Sequence, residues 1–202
     1  MVIQVPTPSD LDPRVRELLL AGDTRGAATR VIRELGPEVL GFLSGVLGNA
    51  DGDEVYSAWS ERLWKSLKGF EGRCSLRTWT YVLARREITR FRKGTRRHAE
   101  GRVPLSELKD VLANPKTRTT MATAKQRQLT ALRDELPIED RTLLILRVDR
   151  KLSFDEIALA FAENPESVTE VDRRREAARL RKRFQLVKQR LVALARRHAA
   201  AS

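Results

Sequence analysis

The chain has 202 residues, of which 41% are hydrophobic and only 5% aromatic, a composition that favours helices over sheets in one large or two small domains. The single cysteine excludes an internal disulfide. The sequence has no cluster of histidines, no Gly-rich phosphate loop and no pair of residues that could act as nucleophile and base. We therefore predict no metal site, no cofactor, no small-molecule substrate and no enzymatic activity. The net charge of +12 is uneven: residues 1–61 hold five arginines against ten carboxylates, whereas residues 85–97 and 173–197 are strongly basic, which predicts two places for a polyanion.

The N-terminal third of the chain predicts three core-building helices. Pro13 lies at the start of the first helix, which Gly22 ends, and Asp23 caps a second helix. Gly36-Pro37 is expected to break this second helix before a third one, which ends near Gly48. No apolar run approaches the ~20 residues that span a bilayer, and the N-terminus lacks the pattern of a secretion signal. We therefore expect a cytoplasmic protein without membrane insertion.

A longer amphipathic helix follows an acidic start at residues 51–54, because Val55, Trp59 and Leu63 recur at helical spacing. Residues 70–74 predict a loop, and Ser75 is placed to cap the next helix, which runs into the basic segment. From residue 94 to about residue 122 the periodicity fades, and two prolines, two glycines and scattered charges predict a linker.

Two helix starts lie close together in residues 152–184. Ser153 with Glu156 and Ser167 with Glu170 each have the spacing of a capping box. The stretch at residues 163–165, Glu-Asn-Pro, ends the first of these helices before the second begins. The pattern therefore predicts a helix-turn-helix whose second helix is rich in arginine, which suits phosphate contact along a nucleic-acid duplex.

Three segments resemble the extracytoplasmic-function (ECF) group of bacterial sigma factors, within the sigma-70 family. LPIEDRTLLILRVDRKLSFDEIA (136–158) resembles the second DNA-binding region of that group, and DGDEVYSAWSERLWKSLKGF (51–70) resembles its polymerase-binding helix. FEGRCSLRTWTYVLAR (70–85) resembles the segment that holds the downstream, minus-ten promoter element. The resemblance implies an all-α protein with two small helical domains on a flexible linker: residues 1–97 as region 2, residues 98–124 as the linker and residues 125–202 as region 4.

The resemblance also implies three groups of site residues. Core RNA polymerase is expected to bind at Asp53, Glu54, Arg62 and Trp64. The melted downstream element is expected at Phe70, Gly72, Arg73, Ser75, Arg77, Arg85, Arg86, Arg90, Arg92 and Lys93. The upstream, minus-thirty-five duplex is expected at Ser153, Ser167, Thr169, Glu170, Arg173, Arg174 and Arg175, since the N-terminal part of a recognition helix enters the major groove.

This sequence departs from the family pattern at several of these positions. Ser57 and Ala58 lie where relatives usually have Gln followed by an acid, and Arg86 and Arg90 lie where relatives commonly have Asn and Asp. The segment after Val168 also carries either a few extra residues or a lengthened recognition helix.

The expected function is therefore that of an ECF sigma factor, which binds core RNA polymerase and directs promoter recognition, strand opening and transcription initiation. Core polymerase, promoter DNA and an anti-sigma factor are the expected partners. Two alternatives stay open: a stand-alone helix-turn-helix regulator that binds duplex DNA as a dimer, and a helical adaptor protein whose basic residues serve only solvation.

Overall fold

The computed structural model describes residues 11–99, 124–163 and 165–201, and the regular structure in these ranges is helical. This confirms the predicted all-α class. Most of the predicted linker, residues 100–123, lies outside the described residues. Eight α-helices occur in the described ranges: α1 (Leu11–Leu20), α2 (Thr24–Leu47), α3 (Asn49–Ser66), α4 (Leu76–Ala99), α5 (Ala124–Asp134), α6 (Ile138–Leu144), α7 (Phe154–Phe161) and α8 (Glu170–Ala201).

The N-terminal unit is built from α1 to α4, with α2, α3 and α4 packed around one apolar core. Trp59 of α3 is fully buried at its centre, and its indole N–H donates to the Thr80 carbonyl of α4 over 3.1 Å. Phe42 of α2 meets Tyr81 of α4 edge to face, with ring centroids 5.2 Å apart. Gly48 (φ +87°) separates α2 from α3, and its backbone conformation strongly favours glycine.

The predicted break at Gly36-Pro37 is wrong, because α2 continues through Pro37. A proline inside a helix removes one hydrogen bond and costs about 3 kcal/mol. Leu35 and Val39 on either side are buried, and each fully buried side chain of this size contributes roughly 1.5–3 kcal/mol. Gly36 also has a packing role, since a Cβ there would lie 2.5 Å from the Tyr56 hydroxyl oxygen. Tertiary packing therefore outweighs the local signal.

The C-terminal unit is held together by a buried carboxylate. Asp140 of α6 is only 7% exposed, and its two carboxylate oxygens accept hydrogen bonds from Arg183 (2.7 Å) and Arg190 (2.5 Å) of α8. A satellite apolar cluster joins α5, α6 and α8 beside it through Leu132, Leu144 and Val187. These contacts fix the long α8 against the rest of the unit.

The helix-turn-helix is present, with one correction. Ser153 and Glu156 form the predicted capping box at the start of α7. The second predicted box is wrong: Ser167 lies in a turn of 3-10 helix (Pro165–Ser167), and Thr169 caps α8 by accepting from the Asp172 backbone N–H over 3.1 Å. The 3-10 turn moves the start of the helix past Ser167, and α8 then runs unbroken from Glu170, as a lengthened recognition helix.

The two units pack against each other, which the expectation of a loose tether did not include. Leu143 and Ile145, in α6 and the turn of π-helix after it, share one buried cluster with Phe42 of α2. The buried Arg141 of α6 donates to the Val46 carbonyl at the end of α2 over 3.0 Å. The structure therefore shows a closed arrangement of the two units.

Candidate nucleic-acid interface

The loop before α4 forms a small apolar cavity. Phe70 and Trp79 pack with ring centroids 5.2 Å apart, and both line the cavity together with Gly72 (φ +73°) and Val82. The cavity is shaped by the predicted loop residues, and its remaining wall comes from the C-terminal unit. A cavity of this kind suits an unstacked base, because single strands are held by pockets and stacking surfaces beside a basic groove.

Ser75 has the capping role predicted for it at the N-terminus of α4. Its hydroxyl accepts from the Thr78 backbone N–H over 3.1 Å. The Leu76 N–H donates to the Asp12 carboxylate over 3.1 Å, and burial raises the pKa of Asp12 in spite of that bond. The nearby Cys74 is not a reactive thiolate, since burial raises its pKa to about 11. The end of the loop is thus anchored by two hydrogen bonds at the start of α4, one within the helix end and one to Asp12.

Arg77 lies in a partly buried polar network between the helices. Its guanidinium donates to the Glu38 carboxylate of α2 and to the Arg150 carbonyl over 2.6 Å, and the Tyr81 hydroxyl donates to Glu38 over 2.8 Å. Burial on its own would raise the pKa of Glu38, but the hydrogen bonds from Arg77 and Tyr81 outweigh it and lower the pKa. Arg77 therefore connects α2, α4 and the C-terminal unit in this arrangement.

Three residues of α4, Thr78, Arg85 and Arg86, point at the helix-turn-helix; we call them the α4 surface. The Arg85 guanidinium donates to Glu139 of α6 over 3.1 Å and to the Phe161 carbonyl over 3.3 Å, and lies 4.2 Å from the Phe161 ring centroid. Arg86 donates to the Glu163 carbonyl over 3.0 Å. Two of the arginines predicted to hold the downstream element are thus engaged within the chain.

The other predicted residues of the downstream group lie on either side of this surface. Arg73, in the loop, pairs with Glu71 over 2.7 Å. Further along α4, Arg90 pairs with the buried Glu87, and Arg92 and Lys93 continue the basic run. The structure therefore places this predicted group along one loop and one helix, but its members differ in their accessibility.

The residues predicted to bind polymerase occupy two faces of α3. Asp53 and Trp64 fall on one stripe at 100° per residue, and Asp53 and its neighbour Glu54 are exposed. Trp64 is 43% exposed, in contrast to the fully buried Trp59. Arg62 lies about 160° around the helix from Trp64 and contacts Glu87 of α4 over 3.3 Å. The structure thus brings three of the four residues to solvent together and places Arg62 beside α4.

The start of α8, residues 169–175, is exposed and rich in charge. Glu170 pairs with Arg173 and, over 2.8 Å, with Arg174, and the hydrogen bond from Arg173 is the main cause of the lowered pKa of Glu170. The side chains of Arg174 and Arg175 are 75% and 78% exposed. Ser153 and Ser167 lie nearby, the former in its capping box and the latter in the 3-10 turn. The α8 start therefore offers an accessible face for a major groove.

The sequence did not reveal the acceptors that cover the α4 surface. Glu139, Glu156 and the backbone at residues 161–163 are each more than fifty residues from the α4 side chain that they contact, and no local pattern connects such positions. Thr78, whose hydroxyl donates to Glu156 over 3.1 Å, was not predicted either.

In the described ranges, none of the helices combines the length and apolarity that crossing a membrane requires. The same ranges contain no group of three or more His, Cys, Asp or Glu side chains placed to hold a metal ion.

Comparison with known proteins identifies the N-terminal unit. Residues 31–98 match the family model of sigma-70 region 2. The N-terminal unit therefore contains a sigma-70 region 2 segment, which is the resemblance that the sequence predicted for it. No curated protein sequence matches the chain significantly.

Among solved structures, the chain is similar to the sigma factor RpoE from Bartonella quintana, which was solved in complex with the anti-sigma factor NepR. The two folds superpose with a TM-score of 0.54 and 14% sequence identity, and the match covers 80% of this chain and 96% of RpoE. This likeness shows that the chain has the two-unit helical fold expected for the ECF group.

Proposed function

We propose that this chain is a sigma factor of the ECF group, which binds core RNA polymerase and directs promoter recognition, strand opening and transcription initiation. The observation that carries the proposal is the region 2 match over residues 31–98, followed in the same chain by a helix-turn-helix. In this proposal the units divide the work. The N-terminal unit docks on polymerase and holds the melted strand, and the C-terminal unit reads intact duplex.

Docking on polymerase uses the outer face of α3. Asp53 and Glu54 supply negative charge at the start of that helix, and Trp64 supplies a large apolar side chain that is still 43% exposed. Partly exposed aromatic residues are frequent anchors of protein interfaces, because they bury much apolar area at small entropic cost. Arg62 acts at the edge of this face, where its contact with Glu87 orients α3 on α4.

Capture of the melted strand uses the loop at residues 70–75 and the basic positions of α4. The cavity beside Phe70 receives one unstacked base, and the arginines along α4 contact the phosphates that follow it. Arg86 and Arg90 make this part of α4 more basic than is common in relatives.

Duplex reading uses the α8 start. Arg173 and Arg174 are the main candidates for base and phosphate contacts, because arginine can donate two parallel hydrogen bonds to guanine. The pair of Arg174 with Glu170 is local and solvent-exposed, and the partly exposed Arg173 pairs with Glu170 and lies 3.8 Å from Asp155, so exchange of these weak pairs for DNA costs little. Thr169 and Arg175 flank them at the same helix end.

An anti-sigma factor is the expected negative regulator. The structurally similar RpoE was solved with the anti-sigma factor NepR, and that arrangement supports a partner of the same kind here. The region 2 match also argues against a regulator that works without polymerase, since such a regulator needs only the helix-turn-helix.

Binding to purified core RNA polymerase separates the proposal from its rivals. We expect the wild-type chain to be retained by immobilised core enzyme and the Asp53→Ala/Trp64→Ala double variant to be retained less. Arg174→Ala, on the distant α8 start, is the matched control and should bind core enzyme like the wild type. A chain that shifts duplex DNA as a dimer but is not retained by core enzyme would establish the dimeric regulator instead.

A further inference from the structure

We propose that α1, which precedes the region 2 match, completes the strand-binding pocket: Arg16 binds the phosphate beside the captured base, and Asp12 positions the loop that forms the pocket. The inference deepens the proposed function and rests on it in one respect, namely that the cavity beside Phe70 receives a base. Neither Asp12 nor Arg16 lies within residues 31–98, so the family match assigns them no role.

The helix α1 is fixed on the N-terminal unit and presents one face to the loop. Leu11 and Val15 are buried in the core of the unit. Asp12 and Arg16 lie one turn apart on the neighbouring face, because residues four positions apart share one side of a helix. Two side chains of α1 therefore reach the loop from a distant part of the sequence.

Asp12 holds the end of the loop at the start of α4. Both oxygens of its carboxylate accept from the Leu76 backbone N–H, over 3.1 and 3.3 Å. Leu76 is the first residue of α4, where backbone N–H groups have no acceptor within the helix. Asp12 is therefore a positioning residue, since it acts on the pocket through the backbone of the loop end.

The Arg16 guanidinium lies at the rim of the cavity. Gly72, which lines the cavity, approaches it so closely that a Cβ on this glycine would lie 2.7 Å from Arg16 Nη2. Arg16 is exposed, and its charge is close to Asp12, because it opposes the rise that burial causes in the pKa of that carboxyl group. Phosphates flank every base of a strand, so an arginine at the rim is placed to meet the phosphate of a base in the cavity.

The arginines on the loop and at the start of α4 already have carboxylate partners. Arg73 pairs with Glu71 over 2.7 Å, and Arg77 pairs with Glu38. Within the part of the chain that the structure describes, Arg16 makes no hydrogen bond and no ion pair. An unpaired guanidinium beside an apolar cavity matches a nucleotide, which has an apolar base face and an anionic phosphate.

Single-strand binding by the full chain tests the role of Arg16. The probe is a fluorescein-labelled single-stranded 15-mer of mixed sequence, and an abasic 15-mer provides the same phosphates without bases. Arg16→Gln removes the charge at the rim. Arg14→Gln is the matched control, because Arg14 is exposed on the same helix, about 160° around from Arg16. Circular dichroism verifies that each variant is folded.

We expect Arg16→Gln to bind the 15-mer about fivefold more weakly than Arg14→Gln, the effect of one hydrogen bond to a phosphate at a solvent-exposed site. The affinities of the two variants for the abasic strand should differ by less than about twofold, since no base then holds a phosphate beside Arg16. A wild-type chain that does not bind the 15-mer, equal affinities of the two variants for it, or an equal loss on both strands would overturn the inference.

The positioning role of Asp12 is tested by a second pair of variants. Asp12→Asn keeps an acceptor for the Leu76 N–H, whereas Asp12→Ala removes it. Both variants lose the carboxylate charge, so a difference between them reports the hydrogen bond. We expect Asp12→Ala to bind the 15-mer about threefold more weakly than Asp12→Asn. Equal affinities of the two folded variants would contradict the positioning role. Failure of the proposed function appears separately, as a wild-type chain that core polymerase does not retain.

Discussion

The two candidate DNA surfaces of this protein differ in where the partners of their arginines lie. At the α8 start, Arg173 and Arg174 pair with Glu170 three and four residues away, on one exposed helix. On the α4 surface, Arg85 pairs with the Glu139 carboxylate and Arg86 donates to the Glu163 carbonyl, and both partners lie on the other unit, more than fifty residues away in the chain. The first surface is available whatever the arrangement of the units, whereas the second depends on it. Basic composition alone therefore does not define an accessible site.

The largest expected effect comes from breaking the contact between the units at its buried part. Arg141→Ala removes the donor to the carbonyls of Val46 and Leu136 and leaves these buried acceptors unpaired. We expect a decrease of about 3–5 kcal/mol in the free energy of unfolding, measured by urea denaturation. Arg174→Ala, an exposed arginine on α8, should change it by less than about 0.5 kcal/mol. Equal decreases in the unfolding free energy for the two substitutions would contradict the contrast between the buried Arg141 and the exposed Arg174.

Removing the arginines of the accessible surface should change binding and not folding. We expect the double variant Arg173→Ala/Arg174→Ala to bind the promoter duplex more weakly. Each arginine that donates two hydrogen bonds to a base should account for about 1–3 kcal/mol of the lost binding free energy. Retention of the variant on core polymerase should be unchanged. Fluorescence anisotropy at several salt concentrations measures the weaker binding and its reduced salt dependence. Loss of core binding with duplex binding intact would show that α8 has been assigned the wrong partner.

The α3 face allows a third contrast, between an exposed and a buried tryptophan. Asp53→Ala with Trp64→Ala should weaken core binding by about 2 kcal/mol or more, the scale of an interface hot spot, and leave the circular dichroism spectrum native. Trp59→Ala should instead unfold or strongly destabilise the N-terminal unit, since a buried Trp→Ala change costs about 3–5 kcal/mol. Normal docking by a folded Asp53/Trp64 variant would refute the α3 assignment.

The partly buried network around Glu38 should make the stability of the protein depend on pH. The pKa of Glu38 is lower in the folded chain than its ordinary value of 4.5, so its contribution is present above that value and is lost as pH falls through the folded pKa. We expect Glu38→Gln to cost ~1 kcal/mol at pH 7, after allowance for its partial exposure, and less at pH 4. Urea midpoints at the two pH values measure the difference. If the difference in unfolding free energy between the wild type and Glu38→Gln were larger at pH 4 than at pH 7, the expected sign would be wrong.

The smallest expected effect distinguishes the two candidate caps of α8. Thr169→Ala should cost about 1 kcal/mol of stability, because the threonine hydroxyl accepts from the Asp172 N–H. Ser167→Ala, two residues earlier in the 3-10 turn, should cost less than Thr169→Ala. Thermal unfolding of the two variants side by side gives the comparison, and the reverse order would restore the cap that the sequence predicted.

Local signals in the sequence predicted the local structure well. The capping box at Ser153, the cap at Ser75 and the loop at residues 70–74 depend on neighbours within a few residues, and the structure contains them. The predictions at Gly36-Pro37 and at Ser167 were wrong because packing in one case, and a 3-10 turn in the other, overrode the local preference.

The closed arrangement of the units was beyond the reach of such signals. Its contacts join Arg85 to Glu139 and Arg141 to the Val46 carbonyl, pairs that are 54 and 95 residues apart in the chain. Either side of each pair is by itself an ordinary charged or helical position. For the same reason the contacts of Arg77 with Glu38 and the Arg150 carbonyl could not be predicted from the sequence.

Run-off transcription with purified core RNA polymerase on a library of bacterial promoter fragments tests the proposed function most directly. We predict discrete transcripts that require this chain, disappear with Asp53→Ala/Trp64→Ala, and weaken with Arg173→Ala/Arg174→Ala. Absence of any chain-dependent transcript, from a folded preparation that core polymerase retains, would contradict the proposed function.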